Sequence, residues 1–382
     1  MSSHSLKITG IGIAYPNNLV PTEDLEKLAY KHHDPSPALD KVLAINRRTG
    51  IKTHSLLFPL LELPAPSSIK EVSEIFLKHG VELTISASRR ALAEANITPD
   101  DITHVVATTC TNSSNPGYDV YLAQALGLRA STEKVLLHGV GCAGGLAALR
   151  VASSFCHAAA FRGAPAHVLV VACEIRSSLR RDELACISRD QEVRIAITLF
   201  GDGAGALVLS LDPGHPAGVV DGSAAPVLPS RGIFELVNCT HLTVPDSNSD
   251  LRVDVDPMGF KPTLSPRIPA LTAPCAPPLF STLLSTLPSW CARPPSTAAP
   301  DFDWAVHPGG SSILAGVEDL MALDRTHTQA SWAVYEAHGN AGSASVLSVL
   351  NTLRQSPGRE WVVSMAFGPG IAAEGTLLRR LQ

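Results

Sequence analysis

The sequence predicts an α/β protein built from two similar halves, and three observations carry that prediction. Short apolar runs alternate with amphipathic stretches along most of the 382 residues. Apolar residues make up 45% and charged residues 17%, against roughly 25% charged in an average soluble domain. A large interior is therefore available, and part of the surface is expected to lie in an oligomer interface. Finally, two short motifs recur in the same order. Gly141-Cys142-Ala143-Gly144-Gly145 and Gly339-Asn340-Ala341-Gly342-Ser343 each open a helix, and Phe200-Gly201-Asp202-Gly203 and Phe367-Gly368-Pro369-Gly370 follow them, each just before an apolar strand.

The elements follow from periodicity. Leu6 to Ile13 reads as a strand, Glu23 to His32 and Pro37 to Arg47 as helices, and Ile69 to Ala95 as one long helical tract. Next come a buried strand, ITHVVATTC, a helix from Tyr118 to Leu126 and the strand KVLLHG. The turn GVGCAGG leads into an Ala-rich helix, LAALRVASSFCHAAAF, then the strands HVLVVACE and GAGALVLSLD. The second half repeats the alternation. Two Pro- and Ala-rich segments, Leu57 to Ser67 and Pro274 to Pro300, read as surface excursions, the second holding a short helix, LFSTLLSTL. A composition shift near Asp212 places the boundary between an N-terminal half, residues 1–211, and a C-terminal half, residues 212–382.

Several classes of function are excluded early. The net charge is −5 with no basic block, so the footprint of a nucleic-acid binder is missing. No apolar stretch approaches the roughly 20 residues of a membrane span, and the N-terminus lacks the pattern of a secretion signal. The eight cysteines form no C-x-x-C pair, which reads as a reducing, cytoplasmic setting without disulfides or a zinc site.

Two readings compete for the glycine-rich turn. Gly139, Gly141 and Gly144 spell G-x-G-x-x-G between a strand and a helix, and Glu174 ends the next strand, as in a nicotinamide-dinucleotide fold. That acid lies 30 residues beyond Gly144, where about 20 is usual. Cys142 accounts for the glycines better. A thiol at a helix N-terminus is expected to have its pKa lowered by the macrodipole and backbone N–H donors, and flanking glycines let a bulky thioester approach.

His307 follows the apolar strand FDWAV and precedes Pro308-Gly309-Gly310, a strand-end place suited to proton transfer. His338 is a competitor two residues before Asn340. Asn340 offers a neutral N–H donor, useful to an oxyanion and useless as a base.

GVGCAGG, WAVHPGG, HGNAGSAS and FGPG, in this order and at these distances, resemble the type III polyketide synthases, the chalcone synthase-like enzymes, and especially their fungal members. The likeness covers nearly the whole chain. It implies the thiolase fold, with duplicated αβαβα halves forming five layers, a homodimer, and a Cys-His-Asn triad at Cys142, His307 and Asn340. Thiolases use a second cysteine, hydroxymethylglutaryl-CoA synthases a glutamate, and initiating ketoacyl-carrier-protein synthases HQAN where this chain has HPGG.

The resemblance further implies acyl-CoA and malonyl-CoA as substrates, with no metal or redox cofactor. An imidazolium at His307 would hold Cys142 as thiolate, and His307 and Asn340 would stabilise the malonyl-derived enolate. Phe200 matches a gatekeeping phenylalanine, and a second gatekeeper falls near Phe260 or Pro262. Lys41 and Arg48 match residues that meet CoA phosphates, with Ala44 standing where plant members carry a further arginine, and Gly309 and Gly310 border the substrate channel. Gly342 replaces a serine that lines the cavity in plant enzymes, so a deeper or reshaped pocket and a fatty acyl starter are expected. An acyl-CoA-binding dimer without catalysis and a nicotinamide-dependent oxidoreductase are the alternatives.

Overall fold

The computed structural model describes residues 5–66, 68–211, 232–287 and 293–381. The expected boundary near Asp212 and part of the Pro274 to Pro300 excursion lie outside the described residues. The strands of the first half are β1 (Leu6–Ala14), β2 (Asn18–Pro21), β3 (Thr53–Leu56), β4 (His104–Thr108), β5 (Glu133–Leu137), β6 (Ala166–Glu174) and β7 (Gly203–Leu211). Those of the second are β8 (Phe234–Thr243), β9 (Leu251–Asp256), β10 (Gly259–Leu264), β11 (Asp303–Val306), β12 (Trp361–Gly368) and β13 (Ala372–Arg380).

Nine of these make one mixed sheet in the order β11-β12-β13-β8-β1-β7-β6-β4-β5, while β2–β3 and β9–β10 form separate antiparallel pairs. The duplication is visible in the pairing. From the centre outward, β1 is antiparallel to β7, β7 antiparallel to β6, and β6 parallel to β4. On the other side β8 is antiparallel to β13, β13 antiparallel to β12, and β12 parallel to β11. The halves join where β1 and β8 pair, Leu6 opposite Leu236.

Five layers result, because each face of each half-sheet needs a helical cover. The helices Gly144–Phe161 and Ser345–Leu353 fill the middle, their Leu146, Leu149, Leu347 and Leu350 packed with Val170, Leu207 and Val362 of the strands around them. The helices Val81–Ala95 and Tyr118–Leu126 cover the outer face of the first half, and Ala276–Ser285 and Ser311–Met321 that of the second. With helices on both sides, β4, β7 and β12 are buried at every position, which is why they read as continuous apolar runs instead of alternating ones.

Local chemistry sets the helix ends. The hydroxyls of Ser36 and Ser68 accept hydrogen bonds from the backbone N–H of Leu39 and Glu71, 3.4 Å each, and so start the helices Pro37–Asn46 and Ile69–Ile75. The tract expected to be one helix from Ile69 to Ala95 carries a π-turn at Phe76–Gly80. The turn lets both Phe76 and Val81 face inward, and Phe76 meets Tyr118 edge-on at 5.6 Å. No helix among the described residues is long and apolar enough to cross a membrane.

The outer helix Val81–Ala95 rides directly on β1, where two glycines admit it. A Cβ on Gly12 would stand 2.0 Å from the Ala87 carbonyl oxygen, and one on Gly10 the same distance from that of Ala91. Gly12→Ala must therefore push the helix off the sheet. We expect a loss of stability of roughly 1–3 kcal/mol or more, as for overpacked cores, read as a lower urea midpoint in equilibrium unfolding.

Candidate active site

Cys142 sits in the short helical turn Gly141–Ala143 that feeds the helix Gly144–Phe161. The turn is braced by the second half: a Cβ on Gly141 would lie 2.4 Å from Pro369 Cδ, and one on Gly368 2.2 Å from the Val140 carbonyl oxygen. The GCAGG turn of one half and the FGPG turn of the other thus interlock. Asn340 occupies the corresponding helix start in the second half. Its backbone bridges to Phe200, with Gly201 N–H donating to its carbonyl at 3.0 Å and its own N–H donating to the Leu199 carbonyl at 2.9 Å. Its side-chain Oδ1 accepts from Gly342 N–H at 2.8 Å, which leaves Nδ2 directed at Cys142 Sγ, 4.0 Å away.

His307 stands at the end of β11, its N–H bound to the Met365 carbonyl at 2.7 Å and its carbonyl accepting from Gly309 N–H at 2.8 Å. The ring is buried, and neither ring nitrogen has a hydrogen-bond partner. Cys142, His307, Asn340 and Phe200 all line one cavity of about 450 Å³. Gly309, Gly310 and Arg48 also border it, and Ile45, Leu199, Leu251, Leu264 and Ile268 make much of its wall apolar. The cavity is of the size that takes a small organic ligand.

Burial dominates the electrostatics of the pair. The Cys142 thiol is pushed up to about 11, first by desolvation; the Arg176 charge and the Asn340 amide pull against this, and Glu174 adds to it. Burial pushes His307 down to about 3. Removing water from both groups penalises both charges, against the pull of the helix terminus on the thiol.

Other expected residues fall elsewhere. Gly342 does not open the cavity: it is buried with φ +54°, and a Cβ there would meet Glu174 Cγ at 2.6 Å. Phe260 packs with Val72 and Leu179 away from Cys142, while Pro262 lies beside Phe200 at a small side cavity. Lys41 is an exposed residue of the helix Pro37–Asn46 and does not reach the cavity wall. His338 stacks on Tyr15 at 3.7 Å and bonds Ser55 Oγ at 2.8 Å, on a different crevice.

The dinucleotide reading fails at its acid. Glu174 is wholly buried and accepts from Thr111 Oγ1 at 2.9 Å, Ser343 Oγ at 2.6 Å and Cys110 N–H at 3.1 Å, so no oxygen is free for a ribose. Arg176, buried two residues beyond Glu174, escaped the sequence reading. The available signal was a charged residue directly after an otherwise apolar strand.

Comparison with known proteins agrees with this architecture. Residues 5–213 match the model for the N-terminal domain of chalcone and stilbene synthases, and residues 235–382 that for their C-terminal domain. The type III polyketide synthase pspB of Penicillium soppii is 36% identical over 99% of this chain and 96% of its own. The crystal structure of a type III pentaketide synthase from Neurospora crassa is 45% identical and superposes with a TM-score of 0.89, covering 98% of this chain and 99% of that one. The acylalkylpyrone synthase csyB of Aspergillus oryzae is 34% identical over 98% of this chain and 94% of its own, and its complex with CoA-SH superposes with a TM-score of 0.91 over 98% of this chain and 100% of that one. The chain belongs to the chalcone and stilbene synthase family. It is a type III polyketide synthase, a condensing acyltransferase of the thiolase fold.

The placement of Gly342 has a direct consequence. Gly342→Ala forces a Cβ onto a buried carboxylate and a side chain into the left-handed region. We expect a loss of stability of about 1–3 kcal/mol, read as a lower denaturation midpoint, with no shift in the chain length of products. A stable variant with a changed product profile would return Gly342 to the pocket wall.

Proposed function

We propose that this enzyme loads an acyl group from acyl-CoA onto Cys142, extends it with malonyl-CoA by decarboxylative Claisen condensation, and releases an alkylpyrone, alkylresorcinol or resorcylic acid. The observation that carries this reading is the convergence of Cys142, His307 and Asn340 on one apolar cavity with Arg48 at its border. A fatty acyl starter fits the aliphatic wall of Ile45, Leu199, Leu251, Leu264 and Ile268. The name of the relative csyB, an acylalkylpyrone synthase, points the same way.

The chemistry follows from the three side chains. A neutral imidazole has one acceptor and one donor nitrogen. His307 accepts the Cys142 proton as sulfur attacks the thioester carbonyl, and returns it to the departing CoA thiolate as the C–S bond breaks. Malonyl-CoA then loses CO2, and the electron pair of the broken C–C bond becomes an enolate. Asn340 Nδ2–H and the His307 N–H donate to its oxygen, positioned before the charge develops. The enolate carbon attacks the acyl-cysteine, Cys142 leaves as thiolate, and the lengthened chain, now a CoA thioester, returns to it. Phe200 walls the cavity beside Cys142, and Arg48 meets a CoA phosphate through its forked donors.

The functional unit in this reading is a homodimer. Strand β5 forms an edge of the nine-stranded sheet and is more exposed than its neighbours, which invites pairing with a second copy. Light scattering coupled to size exclusion should give about twice the 40.2 kDa chain mass; a mass of one chain would rule the dimer out.

Intact-protein mass spectrometry tests the acyl carrier. Incubation with acyl-CoA should add one acyl group, and Cys142→Ala should abolish the adduct; labelling that persists on another cysteine sinks the assignment. Asn340→Ala should still load a starter yet lose malonyl-CoA decarboxylation on the order of 10²-fold, by analogy with oxyanion donors. Equal loss in both steps would give Asn340 a structural role. Products from a panel of acyl-CoAs with malonyl-CoA then decide the starter: turnover confined to aromatic acyl-CoAs would overturn the fatty acyl reading.

A further inference from the structure

A second, much smaller cavity, of about 20 Å³, adjoins Phe200 and is walled in part by Arg176, Arg180, Glu183 and Pro262. Its three charged residues are 4%, 4% and 6% exposed. Each keeps polar atoms without a hydrogen-bond partner: Nε and Nη1 of Arg176, Nε of Arg180 and Oε2 of Glu183. The bonds these arginines do make fix them around Phe200. Arg176 Nη2 donates to Cys110 Sγ at 3.0 Å, and its guanidinium lies over the Phe200 ring, 4.7 Å from the centroid. Arg180 Nη2 donates to the Phe200 carbonyl at 2.6 Å. The backbone is fixed as well, with the N–H groups of Arg176 and Ser177 donating to Asp202 Oδ1 at 2.6 and 2.8 Å. Buried donors and acceptors are paired as a rule, because an unmade bond costs more than a made one gains. Unpartnered atoms on three buried residues around one cavity point to a polar group that is received there.

Phe200 is common to both cavities. It lines this one and also the larger one that holds Cys142, His307 and Asn340. We propose that the side cavity is an oxygen subsite of the larger one: as the Phe200 ring turns aside, it receives the β-keto oxygen of a chain that has been extended once, and so favours return of that chain to Cys142. Size restricts what enters, since about 20 Å³ holds one water-sized group and no alkyl chain. The donor set selects an oxygen. Guanidinium N–H groups outnumber the single unpartnered carboxyl oxygen of Glu183, so the fitting group accepts more bonds than it donates. A β-dicarbonyl chain does this as a ketone, and its enol form can also donate to Glu183. Burial pushes the Glu183 carboxyl up to about 7, within reach of either form. A saturated fatty acyl group carries no oxygen beyond its thioester and would leave the same donors unpaired.

This inference rests on Cys142 as the acyl carrier, and the test separates the two. Loading of Cys142 is followed by intact-protein mass spectrometry with two CoA thioesters of equal chain length, a saturated acyl-CoA and its β-ketoacyl counterpart. The wild type should load the β-ketoacyl group with the higher kcat/KM. Arg176→Met, which keeps the aliphatic stem and removes the donors, should lower that preference by about tenfold, the loss expected of a hydrogen bond to a charged group. A merely structural role would slow both thioesters alike and leave the ratio where it was. Should Arg176→Met not fold, Arg176→Lys takes its place: it retains the charge without the forked donors, and the preference should still fall by about threefold or more. A wild type without the preference, or a variant whose ratio equals that of the wild type, leaves the side cavity to water alone and overturns the subsite. Failure of the wild type to take either acyl group on Cys142 overturns the acyl-carrier assignment instead.

Discussion

The proposed active centre depends on how closely two helix N-termini approach each other. A Cβ on Gly145 would lie 2.5 Å from the Ser343 carbonyl oxygen and 2.8 Å from Val346 Cγ1, and one on Gly144 would lie 2.5 Å from Thr108 Oγ1. Only hydrogen fits between the helix that begins at Gly144 and the turn that begins at Gly342. That contact sits in the middle layer, locked by the leucines of both helices. Because these helix starts cannot separate without opening the core, the residues just before them, Cys142 and Asn340, are held 4.0 Å apart between Sγ and Nδ2. The interlock of Gly141 with Pro369 and of Gly368 with Val140 extends the same constraint to the turns. A fold made by duplication therefore places one reactive group from each half at a single point.

This explains which parts of the molecule were legible in the sequence. The paired motifs were readable because close backbone approach demands glycine, and glycine at fixed offsets survives as a pattern. Strands β4, β6 and β7 were readable because cover on both faces leaves them almost wholly buried and apolar. The π-turn at Phe76–Gly80 left no such mark, since both of its flanking stretches keep helical periodicity. The β2–β3 and β9–β10 pairs were hidden for a different reason: they are short and partly exposed, and β2 finds its partner more than thirty residues along the chain. Gly342 was misplaced because the absence of a side chain looks the same whether the space is filled by ligand or by Glu174. Phe260 was misplaced because register across the β9–β10 hairpin, not sequence offset, decides which of its residues faces Phe200; Pro262 does.

Charge state was the least legible property, and burial is the cause. A helix terminus contributes roughly a fraction of an elementary charge at its end, whereas withdrawing a thiol and an imidazole from water acts on each ionised form in full. The result is a Cys142 raised to about 11 beside a His307 lowered to about 3. Stabilising charge on Cys142 or His307 is therefore left to the groups around them, the amide of Asn340 among them.

The amide of Asn340 is arranged for the same sequence of events. Its Oδ1 is engaged by Gly342 N–H and cannot rotate toward the cavity without breaking that bond. The Nδ2 donor therefore points at Cys142 Sγ, and in the proposed reaction no reorganisation is required when negative charge develops there. A carboxylate in its place would accept the same Gly342 bond but present an anion to an anion. The Asn340 amide is turned by a backbone N–H of the half that carries it. The identity of the residue and the hydrogen bond that turns it belong to one local turn, so the duplicated helix start can carry a thiol in one copy and an amide donor in the other without altering the packing that joins them.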